Sequence, residues 1–472
     1  MNPGNKPGVE LGGKRVLVVG LARTGVATAL FCQERGAQVT ATDTLANADL
    51  TGAAAKLSSA GIALELGGHR RESFLNADLI VPSPGVPYDQ ADLVEARKQG
   101  VAVWSEIELA WRFLRGRLVA ITGSNGKTTT TALTGHILKS AGLAVLVGGN
   151  IGTPLISLVA ESQEGSIAVA EVSSFQLEGI VAWRPDISVY LNLTPDHIDR
   201  HGSMEGYAAA KARIFENQKG EDAAVMNADD AASARYAPSR PRVYWFSRKK
   251  EVGRGAFVRG DDIIFCDGDA EARLASRSAI SLRGEHNLEN VLAAATAACL
   301  AGAAPGAIAE AVRTFPGVEH RLQFVAEIGG VQFYNDSKAT NVDATEKALE
   351  AFPGNLLVIL GGKDKGSDYR PLAPLLARRA RRAFLIGAAA EKIAGQIRGA
   401  LPLEMSGTLE RAVQAAYEAA QAGDVVLLAP ACASFDQFQN FEHRGRVFAE
   451  LVRELAARVA VPKVRDTAGG RR

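Results

Sequence analysis

Residues 118–130 read LVAITGSNGKTTT, and this stretch decides the class of fold. Four apolar residues, Leu118, Val119, Ala120 and Ile121, predict a buried parallel strand; 122–126 is a glycine-bearing turn, and Lys127 with Thr128 opens a helix. That order is the layout of a phosphate-binding loop. The glycines let backbone N–H groups close around a polyphosphate, the helix N-terminus adds the positive end of its dipole, Lys127 supplies a cation and the Thr128 hydroxyl reaches a magnesium ion. The usual spacing puts a glycine five residues before the Gly-Lys pair. Here Ile121 holds that place, so the loop is shorter and starts at Gly123.

Two further apolar runs follow, SIAVAEVSS and DISVYLNL, and each ends in polar residues. Glu171, Ser173 and Ser174 close the first; Thr194, Asp196, His197, Asp199 and Arg200 follow the second. In an open parallel sheet such strand ends converge beside the phosphate loop, where phosphoryl transfer needs its metal ligands. The segment YAAAKARIFEN predicts a helix carrying Lys211, which the pattern alone leaves as a solvated charge. Short β-like runs come next (RVYWFS, GAFVRG, DIIFC, SAISL), then GEHNLENVLAAATAACLA. Asn287 and Asn290 stand at the predicted start of that helix, as caps or as contacts to an adenine. The uncharged run 291–309 has the length of a membrane span. Its alanine content and the breaks at Gly302, Pro305 and Gly306 predict two soluble helices instead.

Upstream, KRVLVVG, a helical VATALFCQERG and AQVTATD make a βαβ start with Gly20, Ala22 and Gly25 where a dinucleotide fold has three glycines. The middle glycine is missing, which weighs against a dehydrogenase. Asp43 can accept from a ribose or base and Thr24 can hold a phosphate, or both can be a strand-end turn and a helix start. ADLIVPSPGVP predicts a strand running into a Pro-Gly loop over 83–87. Downstream, LLVILGG, RAFLIG and DVVLLAP alternate with helical stretches in a third βαβ pattern.

The length of 472 residues exceeds one compact domain, and the three patterns place sections at 1–103, 104–317 and 318–472. With 53 Lys and Arg against 52 Asp and Glu, the net charge of +1 gives no bulk field for nucleic acid or an anionic membrane. Four cysteines without a CxxC pair fit a reducing cytosol and argue against a disulfide or zinc framework. The first residues carry no apolar signal segment.

Together TGSNGKTTT, GGNIG, EVSSFQLE, NLTPDHIDRH, AAKARIFEN, GEHNLEN, HRLQ, NDSKATN, LGGKDKG and APACASFDQFQNFEHRG resemble the Mur ligase family over nearly the whole chain. GKTTT is shared by all Mur ligases and by folylpolyglutamate synthases; EVSSFQLE, NDSKATN and CASFDQF point to the D-glutamate-adding branch. The resemblance implies three α/β domains: an N-terminal Rossmann-like one, a central P-loop ATPase-like parallel sheet, and a C-terminal Rossmann-like one. It implies a cytoplasmic, monomeric enzyme of peptidoglycan synthesis that uses ATP and Mg2+ to join UDP-N-acetylmuramoyl-L-alanine and D-glutamate, with no nucleic-acid or membrane partner.

By the same resemblance, Gly123, Ser124, Asn125, Gly126, Lys127, Thr128 and Thr129 hold the ATP phosphates, with Asn287, Asn290 and Arg321 as further ATP contacts. Lys127, Glu171, His197 and Lys211 are the catalytic set. Thr128, Glu171, His197 and Lys211 are the metal ligands, Lys211 as a carbamate. Arg23, Thr24, Asp43, Thr44, Ser83, Gly85, Asn150 and Ser173 are expected to bind the UDP substrate, and Lys338, Thr340, Ser434 and Phe435 the D-glutamate. A dicarboxylic amino acid demands a cation and separate hydroxyl or backbone donors, which suits that last group. Two rivals share parts of these features: a ligase of the same fold joining another acid and amine, and a nucleotide-hydrolysing regulator or redox enzyme.

Overall fold

The computed structural model describes residues 6–46, 50–282, 284–364 and 366–460. Among these the chain forms three sheets. The first has five parallel strands in the order Ala63–Leu66, Gln38–Asp43, Arg15–Val19, Leu79–Pro82, Ala102–Val103. The second has nine: Ala270–Ser276, Asp262–Asp267, Arg254–Arg259, Arg242–Ser247, Ala223–Asn227, Ile187–Tyr190, Arg117–Thr122, Ile167–Glu171 and Val145–Gly149. Its last seven strands run parallel and the first two join as antiparallel hairpins. The third, ordered Gln323–Ile328, Val331–Asn335, Val425–Leu428, Leu356–Gly361, Ala380–Ile386, Leu403–Gly407, is parallel except for its first, antiparallel strand. Parallel strands buried on both faces read as continuous apolar runs rather than alternation, which is why LVVG, LVAI and LLVIL were visible as strands.

One prediction is corrected here. SAISL is no strand: residues Arg277–Ala279 form a 3-10 turn, and the strand lies just before it at Ala270–Ser276. That strand reads AEARLAS and exposes much of its length at a sheet edge, so its apolar content is too low to signal itself. The uncharged run 291–309 belongs to two helices, Glu285–Ala301 and Pro305–Thr314, separated at Gly302, with Pro305 in the first turn of the second. No helix among the described residues is long and apolar enough to cross a membrane.

By packing the chain divides into two units. One takes in the chain to Ile280 together with Asn287–Phe315, and so holds the first two sheets; the other takes in Ser281–His286 and the chain from Pro316 onward. In the first unit one continuous apolar core runs from Val16 and Val18 of the first sheet, through Ile107, Leu109 and Trp111, to Leu118, Ala120 and Ala170 of the second. The helix Glu106–Phe113 is the join, buried on all sides. Two glutamates go with it. Glu108 accepts from the backbone N–H groups of Val181, Ala182 and Trp183 and from Arg112 at 2.7 Å, so its charge is fully matched. Glu106 accepts from Ile156 N–H through Oε1, while its buried Oε2 has no partner.

Burial pushes the Glu106 carboxyl up to about 7, against two backbone N–H groups that pull it down. A carboxyl raised in the folded state favours the protonated form, so its contribution is complete near pH 4.5 and is lost as pH rises through about 7. Glu106→Gln is therefore expected to flatten the fall in unfolding free energy between pH 5 and pH 8 by about 3 kcal/mol, from 1.4 kcal/mol per pKa unit. Denaturant unfolding of both proteins across that range checks it; parallel pH profiles would contradict it.

Candidate active site

The phosphate loop is set by its neighbours in the sheet. Ile121 pairs with Glu171 on one side and Thr122 with Tyr190 on the other, which brings the three strand ends level. Gly126 caps the helix Lys127–Ser140 with φ of 83°, and a Cβ there would lie 2.2 Å from Asn290 Oδ1, so no side chain fits. Asn290 also accepts from Thr130 at 3.2 Å and donates to Asn287 Oδ1 at 3.0 Å. Both asparagines lie buried inside the helix Glu285–Ala301, which begins before them, so neither is its N-cap residue; Asn290, held by Asn287, braces the loop from behind. Asn125 N–H donates to Asn192, and Ser124 donates from its backbone to Asn192 and from its hydroxyl to Thr194.

The charges gather at Gly123. Its carbonyl accepts from Lys127 Nζ and from Lys211 Nζ, each at 2.8 Å. Lys211, read from sequence pattern as a solvated charge, is only 1% exposed and lies 4.5 Å from the centre of the Tyr207 ring. Burial first, and then the Lys127 charge, hold its ammonium well below the ordinary lysine range; Asp196 and Glu171 act in the other direction. Its amine is thereby shifted toward the neutral, nucleophilic form. Glu171, 2% exposed, accepts from Asn150 Nδ2 at 3.0 Å, and its other oxygen is buried without a partner. The Thr129 hydroxyl is likewise buried and unpartnered, next to a buried Thr128. His197 sits half-exposed in a left-handed conformation (φ 50°), its ring 4.9 Å from Phe175 and 6.4 Å from Tyr207.

The expected UDP-site residues line the same unit. Gly25 packs so tightly that a Cβ would meet the Gly20 carbonyl at 1.9 Å, and Ser83 donates to that carbonyl at 2.7 Å. Ala22 stands exposed at the helix start, where the missing glycine would have been. Asp43 already accepts from the N–H groups of Leu21 and Leu45, so it orders both turns. Arg23 donates to the carbonyl of Gly152, beside Asn150. Thr44 and Gly85 are exposed. Ser173 forms a capping box with Gln176 at the start of the helix Ser174–Leu177, which gives it a local structural role.

In the second unit, His320 and Arg321 lie near Asp336 and Lys338. Asp336 is buried, accepts from Leu322 N–H at 3.3 Å and has its carboxyl pushed up to about 6 by burial, with Arg321 and Lys338 opposing. Arg321 Nε is buried without a partner. Lys338 lies 4.9 Å from the centre of the Phe441 ring, Ser434 is buried and Phe435 is 65% exposed. Thr340 N–H donates to the carbonyl of Lys338. Lys363 and Asp364 point to structure: Lys363 pairs with Ala433, and Asp364 holds Lys392 and the Tyr369 hydroxyl.

Arg444 was not singled out from the sequence. It is fully buried and ties the 336–338 loop to the 432–434 loop, donating to the hydroxyl and carbonyl of Ser337 and to the carbonyls of Cys432 and Ala433. An arginine in a helix as charged as Phe441–Ala460 carries no sign of burial in its spacing.

These features define a class: a nucleotide-site α/β enzyme with a phosphate loop, an orphaned buried carboxylate oxygen and a buried amine. Family models match residues 14–105 (Mur ligase MurD-like, N-terminal domain), 121–298 (Mur ligase middle domain) and 320–432 (Mur ligase, glutamate ligase domain). The chain belongs to the Mur ligase family. It is similar to proteins called UDP-N-acetylmuramoylalanine–D-glutamate ligase, at 56% identity in Acidobacterium capsulatum, covering 94% of this chain and 97% of that one. The relative of that name from Koribacter versatilis is 53% identical over 95% and 99% of the two chains. Among solved structures, the UDP-N-acetylmuramate–alanine ligase of Thermotoga maritima superposes with a TM-score of 0.60 at 19% identity, covering 94% of this chain and all of that one. This shows a common fold. The ligase class, its dependence on ATP and the three-domain α/β architecture expected from the motifs all hold.

Proposed function

We propose that this chain joins D-glutamate to the alanyl carboxylate of UDP-N-acetylmuramoyl-L-alanine, in the cytoplasm, as a monomer, for peptidoglycan synthesis. The observation that carries the reading is identity above 50% to D-glutamate ligases across nearly the full length of both chains. A net charge of +1 supports small-molecule substrates bound at local sites over nucleic acid or membrane.

In this reading Gly123 to Thr129, Lys127 among them, hold the ATP phosphates, with Asn287, Asn290 and Arg321 as further ATP contacts. Arg23, Thr24, Asp43, Thr44, Ser83, Gly85, Asn150 and Ser173 serve the UDP substrate; Lys338, Thr340, Ser434 and Phe435 serve D-glutamate. The domain limits are those of the three sequence sections. Mg2+ fits the donor set: Glu171, at the end of its strand, has a buried oxygen without a partner, Thr128 stands in the first turn of the helix that follows the neighbouring strand, and His197 caps the helical turn Ile198–His201. No three His, Cys, Asp or Glu side chains among the described residues converge into a metal cluster. A carbamate on Lys211 would add the missing carboxylate-like ligand. Bound there, magnesium would neutralise charge on the transferring phosphoryl group.

The reaction needs an activated carboxylate. An alanyl carboxylate oxygen bonds to the γ-phosphorus as the bond to ADP breaks, giving an acyl phosphate. The neutral amine of D-glutamate then attacks the acyl carbon; phosphate leaves with the former carboxylate oxygen and the amine loses a proton. Lys127 and the loop N–H groups stabilise charge, and the rest is positioning. With both carboxylate oxygens of the alanyl group labelled with 18O, one label per turnover is expected in the released phosphate. Unlabelled phosphate accompanying amide formation would rule the acyl phosphate out.

A further inference from the structure

Arg200 lies outside the expected catalytic and binding sets, yet it spans from one candidate site to the other. It belongs to the single helical turn Ile198–His201, whose N-cap is His197. Its guanidinium donates to the carbonyl of Val86 at 2.9 Å, reaches that of Gly85 at 3.5 Å and pairs with Glu178 Oε2 at 3.1 Å. Those carbonyls belong to the Pro-Gly loop that leaves the first sheet. The guanidinium also covers Phe175, 4.7 Å from the ring centre, and the same ring packs at a steep angle against His197, 4.9 Å between centres.

Glu178 completes the bracket. Its Oε1 lies 3.4 Å from His201 Nδ1, and His201 Nε2 makes a 3.0 Å hydrogen bond with the Ser174 hydroxyl. His201 stacks on Phe175 at 5.4 Å between centres. Arg200 and Glu178 are less than a fifth exposed, so the pair is shielded from solvent competition. Arg213 holds the segment that carries Glu178, donating to the carbonyls of Leu177, Glu178 and Ile180.

We propose that Arg200 is a positioning residue that sets the Pro-Gly loop of the UDP site and the His197 turn in one register. It touches no reacting atom. The inference rests on the ligase reading, because it takes residues 83–87 as part of the UDP-substrate site. A planar guanidinium can serve two carbonyls and a carboxylate at once; an ammonium can hold fewer of them in line.

The test compares wild type with Arg200→Gln, Arg200→Lys and Glu178→Gln, measuring kcat and the KM of each substrate beside thermal unfolding. Arg200→Gln is expected to raise the KM for UDP-N-acetylmuramoyl-L-alanine about tenfold and to lower kcat severalfold, leaving the D-glutamate KM and the ATP Kd within twofold. Arg200→Lys should recover part of the loss, and Glu178→Gln should show a smaller shift of the same kind. An unchanged KM for the UDP substrate overturns the inference, as do equal losses for all three substrates, the mark of general destabilisation. If Arg200→Gln does not fold, Arg200→Lys and Glu178→Gln decide by the same criterion. A wild-type enzyme inactive on that substrate would sink the ligase reading itself, a result distinct from a silent Arg200 variant.

Discussion

Lys127→Ala is expected to lower ATP-dependent phosphate release by roughly 10³ or more, the scale of losing a central charge-stabilising group in phosphoryl transfer. Lys127 is fixed where its ammonium faces the loop, donating to the carbonyls of Gly123 and Ser124 at 2.8 Å each. Alanine removes the cation and leaves the loop backbone, which is braced independently by Asn290, Asn192 and Thr194. The fold should survive, and the loss should appear in nucleotide affinity as well as in turnover. Lys338→Ala makes the contrast: nucleotide binding should persist while the KM for D-glutamate rises. Equal loss of nucleotide affinity in both variants would contradict this division of labour.

The second large effect is expected at Lys211. Lys211→Ala should cut turnover by about 10² or more, and short carboxylic acids such as acetate or propionate should restore part of it. The physical reason is the contradiction that burial creates. An ammonium with almost no exposure, sharing the Gly123 carbonyl with Lys127, is poorly placed as a cation, and its proton affinity is depressed accordingly. A neutral amine can take up carbon dioxide, forming an N–C bond and releasing a proton, so the side chain ends in an anion. That anion would sit favourably beside Lys127. Removing the side chain leaves room for a small carboxylate; absence of rescue would leave the carbamate unsupported and assign Lys211 a structural role.

The sheets were legible because parallel strands buried on both faces are continuous apolar runs, and the loop because strand, glycine and Gly-Lys-Thr stand in fixed order. Glu171 was legible for a similar reason: a carboxylate closing an apolar strand has few structural uses. Burial of long charged side chains was not. Lys211, Glu106, Glu108 and Arg444 are long charged side chains on helices, a position that is ordinarily solvated, and only the tertiary partners make them buried. Asn287 and Asn290, expected at the helix start as caps or adenine contacts, lie inside a helix that begins earlier, at Glu285, and the packing of Asn290 behind the phosphate loop is a tertiary contact that local spacing does not carry. The edge strand Ala270–Ser276 was missed because exposed edges carry too few apolar residues to mark themselves.

The measurement that bears most directly on the proposed function is phosphate release from ATP in the presence of UDP-N-acetylmuramoyl-L-alanine, with D-glutamate compared against L-glutamate, L-alanine, L-lysine and diaminopimelate and the product identified by mass. Release coupled to a new amide with D-glutamate alone is the expected result. Amide formation with a different amine would keep the fold and the ATP half of the site but contradict the assignment of the last domain, and phosphate release without any amide would contradict the ligase reading altogether.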